Sequence, residues 1–437
     1  MKIIENKENP SVAFVTLGCK VNQYETQVMR EKLKKNGFSF VEPARPADVY
    51  VINTCTVTNV SDRKSRQMIR RCAAANPEAL IVVTGCYVER DLEEIRQILK
   101  GYKNLILSNT EKLSLDKFLQ DKIPEEKDFW KYHGINAFFD QTRAMVKIQD
   151  GCDSFCTYCI VPYTRGGIIR SRPVDDIVRE VKSLAESGYK EVVLTGIHLG
   201  AYGRDMDDVN KLHNVIEAIH PVAGLERIRL SSIEPMDIDY ELIKTIANLT
   251  KCAHHLHISL QSGSNQILKS MRRGYTRKEY IDLTDRIKNI IPDTGISTDI
   301  MVGFPGETDQ DFQDTYNLVE RVGFNRLHVF RYSPRSGTPA ARYPDQVQES
   351  IAYQRSHWIR ELGDKIAYEF CKNMIGQTAE VLLEEKREGK NNLLAGFTSN
   401  YIRVLVADAG DDKAGQIVEV KLTDITGNYM MGLINPA

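Results

Sequence analysis

The alternation of apolar and polar positions divides the chain into three textures. In the first, three unbroken apolar runs begin at Val12, Val49 and Leu80, and amphipathic helical spacing fills 25–35 and 61–75 between them. Runs apolar at every position suit strands buried on both faces of a parallel sheet, and the helices complete strand–helix–strand crossovers. From Ala144 the pattern becomes strand then helix, repeated. The candidate strands are Ala144–Gln149, Glu191–Gly196, Arg227–Ile233, His255–Gln261, Gly295–Gly303 and Arg326–Tyr332. This alternation predicts an α/β barrel or partial barrel. After a helical span reaching about Phe370, the stretches Gln377–Glu384, Ile402–Asp408 and Gln416–Leu422 read as strands separated by turns, hence a small all-β barrel.

The join from Glu111 to Arg143 is charged, carries Pro124 and holds the aromatic pieces Phe129-Trp130-Lys131-Tyr132 and Phe138-Phe139. With no clean periodicity it reads as a linker wrapping back on the next domain, with a boundary near residue 138. The predicted domains are 9–120, 138–370 and 371–437.

Cysteines add chemistry to this outline. Each of the first three strands ends in one: Cys19, Cys55 and Cys86, two of them directly after glycine. Ligands gather at the carboxyl ends of parallel strands. Three thiols at matching strand ends therefore suggest one ligand set, although a free cysteine is more commonly a small core residue. A second trio, Cys152, Cys156 and Cys159, lies on one short loop after the first barrel strand, spaced C-x3-C-x2-C. Thiolates so close can converge on a soft metal centre. A zinc knuckle would want a fourth Cys or His, and none follows nearby. Cys72, Cys252 and Cys371 lack such company and read as packing residues. Nine cysteines, with no signal-peptide pattern over Met1–Asn6 and no apolar run of membrane length, favour reduced thiols, metal ligation and a cytoplasmic location.

Charge changes the picture little. With 58 Lys and Arg against 59 Asp and Glu, bulk electrostatics announce no nucleic-acid partner, so any RNA contact must be local. The run from Arg63 to Arg71 gives a basic helical face, either solvated or in contact with RNA phosphate. Arg165, Arg170 and Arg172 each read first as surface residues, although a guanidinium fork also suits phosphate or carboxylate. Cys371–Ala437 holds seven Lys and Arg against nine Asp and Glu. RNA binding there would rest on Arg403, Lys372, Lys386, Arg387 and Lys390, or on Phe397 and Tyr401.

The C-x3-C-x2-C loop resembles that of the radical S-adenosylmethionine (SAM) superfamily. Together with the strand-end trio and a closing β-barrel, nearly the whole chain resembles the radical SAM methylthiotransferase family. The resemblance implies a flavodoxin-like N-terminal domain, a partial (β/α) barrel radical SAM core and a TRAM-like C-terminal barrel. It implies two [4Fe–4S] clusters, one on Cys19, Cys55 and Cys86 and one on Cys152, Cys156 and Cys159. At the second, bound SAM is cleaved to a radical; at the first, sulfur is held and methylated by another SAM. Cofactor-binding candidates at the strand ends are Tyr158, Gly196, Ser232, Glu234, Gln261, Gly303 and Arg331. The segments Val161-Pro162-Tyr163-Thr164-Arg165-Gly166 and Phe330–Ala340 also match the family. The context Thr16-Leu17-Gly18-Cys19-Lys20-Val21-Asn22-Gln23-Tyr24-Glu25-Thr26 is most similar to the branch acting on N6-threonylcarbamoyladenosine beside the tRNA anticodon. Implied partners are a tRNA anticodon stem-loop and reduced flavodoxin or ferredoxin, with no membrane. The alternatives are an isopentenyladenosine or ribosomal-protein methylthiotransferase and, more remotely, a non-catalytic iron–sulfur electron carrier or RNA-bound sensor.

Overall fold

A computed structural model describes residues 9–120, 122, 129–131, 133–138, 141–206, 211–389 and 391–434. Pro124, Tyr132, Phe139 and Lys390 lie outside the described residues. The chain packs as two compact units. The first comprises 1–139, 150–155 and 159–172, and the second 140–149, 156–158 and 173–437.

In the first unit the three apolar runs form β1 (Ser11–Thr16), β3 (Val49–Thr54) and β4 (Leu80–Gly85), the middle of an all-parallel five-stranded sheet. Its edges are β2 (Ser39–Phe40) and β5 (Asn104–Ile106), giving the order β2-β1-β3-β4-β5. Two- and three-residue strands are too short to show a periodic signal, which is why sequence patterning omits them. Every residue of β3 and β4 is buried, as a sheet covered on both faces requires. The helices α1 (Lys20–Lys35) and α2 (Asn59–Ala75) start earlier than their apolar spacing predicts. Thr58 fixes the start of α2, its hydroxyl accepting from the Ser61 N–H at 3.1 Å. A short helix, α3 (Cys86–Arg90), leaves β4 directly. The join folds back on α1 of its own unit: Glu31 accepts from the N–H groups of Asn136 and Ala137, and the Tyr24 hydroxyl from that of Gly134.

In the second unit six strands follow one another in sequence order. These are β6 (Ala144–Lys147), β7 (Glu191–Thr195), β8 (Arg227–Leu230) with its continuation β9 (Ser232–Ile233), β10 (His255–Ile258), β11 (Gly295–Val302) and β12 (Arg326–Arg331). All pairings are parallel. The third strand breaks at Ser231 and joins a three-stranded to a four-stranded sheet, so the whole curves as an open partial barrel. The helix α4 (Glu349–Lys372) leads into five strands: β13 (Thr378–Glu388), β14 (Leu393–Thr398), β15 (Arg403–Val406), β16 (Ile417–Thr426) and β17 (Tyr429–Ile434). They close a barrel in the order β13-β14-β15-β17-β16 around Val381, Leu383, Leu394, Val404, Val420 and Leu422. Two of these strands, β14 and β17, add to the three predicted.

Buried charge fixes this barrel to the core. Glu191 is fully buried, and Arg227 and Arg229 reach it at 3.3 and 2.7 Å. Their remaining N–H groups donate to the carbonyls of Phe397, Glu380, Ser399 and Thr398 in the barrel. Phe397 and Tyr401 stack on each other at 4.5 Å, with Arg143 over Phe397 and Arg229 over Tyr401. Arg403 is tied to Glu384 and Glu388, Arg387 to Asp411, and Lys372 lies 3.7 Å from Glu369. Most of the barrel residues that sequence offers for RNA binding are thus engaged within the protein; Lys386 is exposed.

Candidate metal centres and their surroundings

All three strand-end cysteines lie at the carboxyl edge of the five-stranded sheet. Cys19 caps α1, Cys55 follows β3, and Cys86 opens α3. Two glycines let the chain turn there. Gly18 (φ +101°) and Gly85 (φ +96°) occupy the left-handed region, where an L side chain is strained. A Cβ on Gly18 would lie 3.0 Å from Cys55 Sγ, and one on Gly85 would lie 2.4 Å from the Thr54 carbonyl oxygen. Asn22 binds the strand ends together, donating to the carbonyls of Leu17 and Thr54 at 2.8 and 2.9 Å.

Beside the thiols runs a buried ionic network. Arg165 donates to Glu25 at 2.6 and 3.1 Å, to Asn22 Oδ1 at 2.7 Å and to Asp150 at 3.3 Å. Lys112, fully buried, also pairs with Glu25 and donates to Asn109. Arg165 and Arg172 are 4% and 3% exposed, so the surface reading fails for both; Arg172 packs against Tyr24. Sequence gives no cue to Lys112, one lysine in a charged stretch, and Asn22 and Glu25 stand out there only through family likeness.

Desolvation raises the pKa of the Cys19 and Cys55 thiols. The Arg165 guanidinium opposes this at Cys19, and the Val57 N–H opposes it at Cys55. Cys86 acts electrostatically on both. Burial likewise pushes Lys112 down, against the pull of Glu25. Three thiols, a cationic wall and a buried Arg165 Nε without a hydrogen-bond partner fit a bound anionic metal–sulfur group.

The loop trio is local in sequence. Gly151 (φ +77°) precedes Cys152, and a Cβ there would lie 1.8 Å from the Ile168 carbonyl oxygen. Cys152 and Cys159 pack with the first unit and Cys156 with the second. Next to Cys156, Thr157 is pinned by its N–H to the Met271 carbonyl and by its hydroxyl to the Ser270 carbonyl. Arg273, not singled out from sequence, donates to Cys156 Sγ at 3.3 Å and pairs with Glu234. Tyr158 packs beside Ile267, Met271, Phe304 and Ala340.

The other strand-end candidates differ in setting. Gly196 gives room to Gln149, whose Oε1 would lie 2.7 Å from an added Cβ. Ser232 is exposed, and Gln261 holds a left-handed φ of 64° between β10 and β11. Gly303 backs onto α4, where a Cβ would lie 2.6 Å from Ala352 Cβ. Arg331 is exposed, pairs with Glu349 and lies over Tyr353. Ser231 Oγ, at the break in the third strand, is buried without a hydrogen-bond partner.

Comparison with known proteins follows the same divisions. Residues 146–319 match the radical SAM superfamily, 11–107 the uncharacterized protein family UPF0004, and 372–433 the TRAM domain. The chain is 42% identical over 429 residues to the threonylcarbamoyladenosine tRNA methylthiotransferase MtaB of Bacillus subtilis, covering 94% of this chain and 93% of that one. It is 36% identical to the tRNA-2-methylthio-N(6)-dimethylallyladenosine synthase of Thermoanaerobacter pseudethanolicus, covering 98% and 93%. In fold it is similar to the radical SAM methyltransferase TsrM of Kitasatospora setae, with a TM-score of 0.58 at 14% identity over 76% of this chain and 77% of that one. Membership of the radical SAM superfamily implies SAM and a [4Fe–4S] cluster, which the loop thiols suit as ligands. Among the described residues no helix is long and apolar enough to cross a membrane. With relatives this similar over nearly its full length, the chain belongs to the radical SAM methylthiotransferase family.

Proposed function

We propose that the protein adds a methylthio group to C2 of N6-threonylcarbamoyladenosine in the anticodon stem-loop of tRNA. The observation that carries this is the gathering of Cys19, Cys55 and Cys86 at one sheet edge, in a chain that also bears the C-x3-C-x2-C loop. The choice of nucleoside is supported by the 42% and 39% identical relatives named for it. Modification of dimethylallyladenosine is the second reading, favoured by the 36% identical relatives of that name.

In this reading each cysteine trio holds a [4Fe–4S] cluster, and the domains divide as 9–120, 138–370 and 371–437. When bound, the clusters and SAM supply a sulfur atom, a methyl group and a carbon-centred radical. The chain's own residues hold these in place. Asn22 keeps the strand ends from spreading, and Arg165 and Lys112 face the N-terminal thiols with positive charge. Arg273, held by Glu234, presents an N–H to Cys156 Sγ. Tyr158, Gly196, Ser232, Glu234, Gln261 and Gly303 line the SAM site; Arg331 stands at its outer rim. Arg63, Lys64, Arg70 and Arg71, all exposed on α2, offer phosphate contacts, and Lys386 offers another. Reduced flavodoxin or ferredoxin supplies electrons, and the setting is the cytoplasm.

Mass spectrometry of tRNA nucleosides from cells lacking this gene tests the assignment. The 2-methylthio derivative of threonylcarbamoyladenosine should vanish and its unthiolated precursor accumulate. Loss of the dimethylallyl derivative alone would move the protein to the second reading.

A further inference from the structure

A cluster of metal-ligating side chains that shares no residue with either cysteine trio lies on one face of the partial barrel. His257 on β10 and Ser297 on β11 are register partners, as are Asp299 on β11 and His328 on β12. Neighbours in a parallel register point to the same side of the sheet. Thr298, on the opposite face, contacts Tyr280 of the outer helix Arg277–Ile290, so His257, Asp299 and His328 face the barrel interior. One ligand atom from each lies within 4.8 Å of the others.

Two of the three ligand-atom separations suit a coordination shell. His257 Nε2 is 3.3 Å and His328 Nδ1 3.2 Å from the same oxygen, Asp299 Oδ1. Tetrahedral zinc with bonds of about 2.0–2.1 Å places its ligand atoms about 3.3–3.4 Å apart. An octahedral ion at the same bond length would need edges of about 2.9 Å. His257 is 8% exposed, and its Nε2 is buried with no hydrogen-bond partner despite its nearness to the carboxylate. The other nitrogen of the ring, Nδ1, is 2.9 Å from the Ser297 hydroxyl. A metal-bound histidine is commonly oriented by such a bond at its second nitrogen. With Nδ1–H donating to Ser297, the Nε2 lone pair faces a carboxylate oxygen. In that tautomer the two atoms are placed as two ligands of one cation.

We propose that His257, Asp299 and His328 bind a divalent ion of the zinc class, with Ser297 as a positioning residue. The fourth position stays open to water or another oxygen donor, since the side chains of Asp299 and His328 are 25% and 41% exposed.

The test uses the anaerobically prepared, cluster-loaded full chain. It is titrated with zinc, washed with a mild chelator and examined by metal analysis and zinc K-edge spectroscopy. About one zinc per chain should remain, with nitrogen and oxygen ligands at about 2.0–2.1 Å and no sulfur at about 2.3 Å. Asp299→Asn should lose this zinc while keeping the wild-type iron content. Ser297→Ala should weaken binding about 10–100-fold. Cys55→Ala should leave it unchanged. Should Asp299→Asn fail to fold, His328→Gln, at the most exposed ligand, carries the same readout. Failure of the wild type to retain zinc, sulfur in its first shell, or undiminished zinc in the ligand variants would each overturn the proposal.

Discussion

The two cysteine trios are assembled by opposite routes. Cys152, Cys156 and Cys159 share one loop, so their nearness is one of sequence. Cys19, Cys55 and Cys86 belong to three strands and become neighbours only when a parallel sheet forms. The local trio is set by spacing, whereas the distant one is a product of folding and inherits the stability of its sheet. The difference extends to the surroundings. Beside the distant trio, Glu25, Arg165, Lys112 and Asp150 form a buried network whose members are costly to remove singly. Beside Cys156 stands the smaller Arg273–Glu234 pair, partly open to solvent at Glu234.

Four experiments press on this contrast. The largest effect is expected at the loop: Cys156→Ala should reduce 5′-deoxyadenosine formation from SAM and dithionite to background. Cys55→Ala should spare that cleavage, lower bound iron by about four atoms per chain and abolish methylthio product. Full product from the Cys55 variant would break the division of labour between the trios. Next in size, Glu25→Ala leaves two cations buried without their shared carboxylate. A loss of about 3–5 kcal/mol is expected in denaturant unfolding of the first unit. Unchanged stability would show that the network is not what holds the sheet edge. The smallest is Gly85→Ala, with strain of about 1–3 kcal/mol at φ +96° and a clash with the Thr54 carbonyl. Chelators should strip iron from the strand-end trio faster in this variant, with SAM cleavage unaltered.

Legibility from sequence follows the same contrast. The loop trio, the three cysteine-tipped strands and the six barrel strands each leave a local pattern. Beyond local pattern, prediction weakens. The edge strands β2 and β5 are too short to register. Arg165 and Lys112 look like any surface cation until a partner from α1 arrives. Phe397 and Tyr401 look like base-stacking residues, yet in the folded second unit Arg143 and Arg229 cover them.

What the sequence determined by itself is the succession of elements and the two sets of thiols, because periodicity and spacing are properties of neighbouring residues. What only the tertiary structure decided is which charges are buried and whom they face. Glu25 with Arg165 and Lys112, Arg273 with Cys156, and His257 with Asp299 and His328 all join residues from separate elements. Their burial and pairing arise from the packing of strands and helices, which no single stretch of sequence contains.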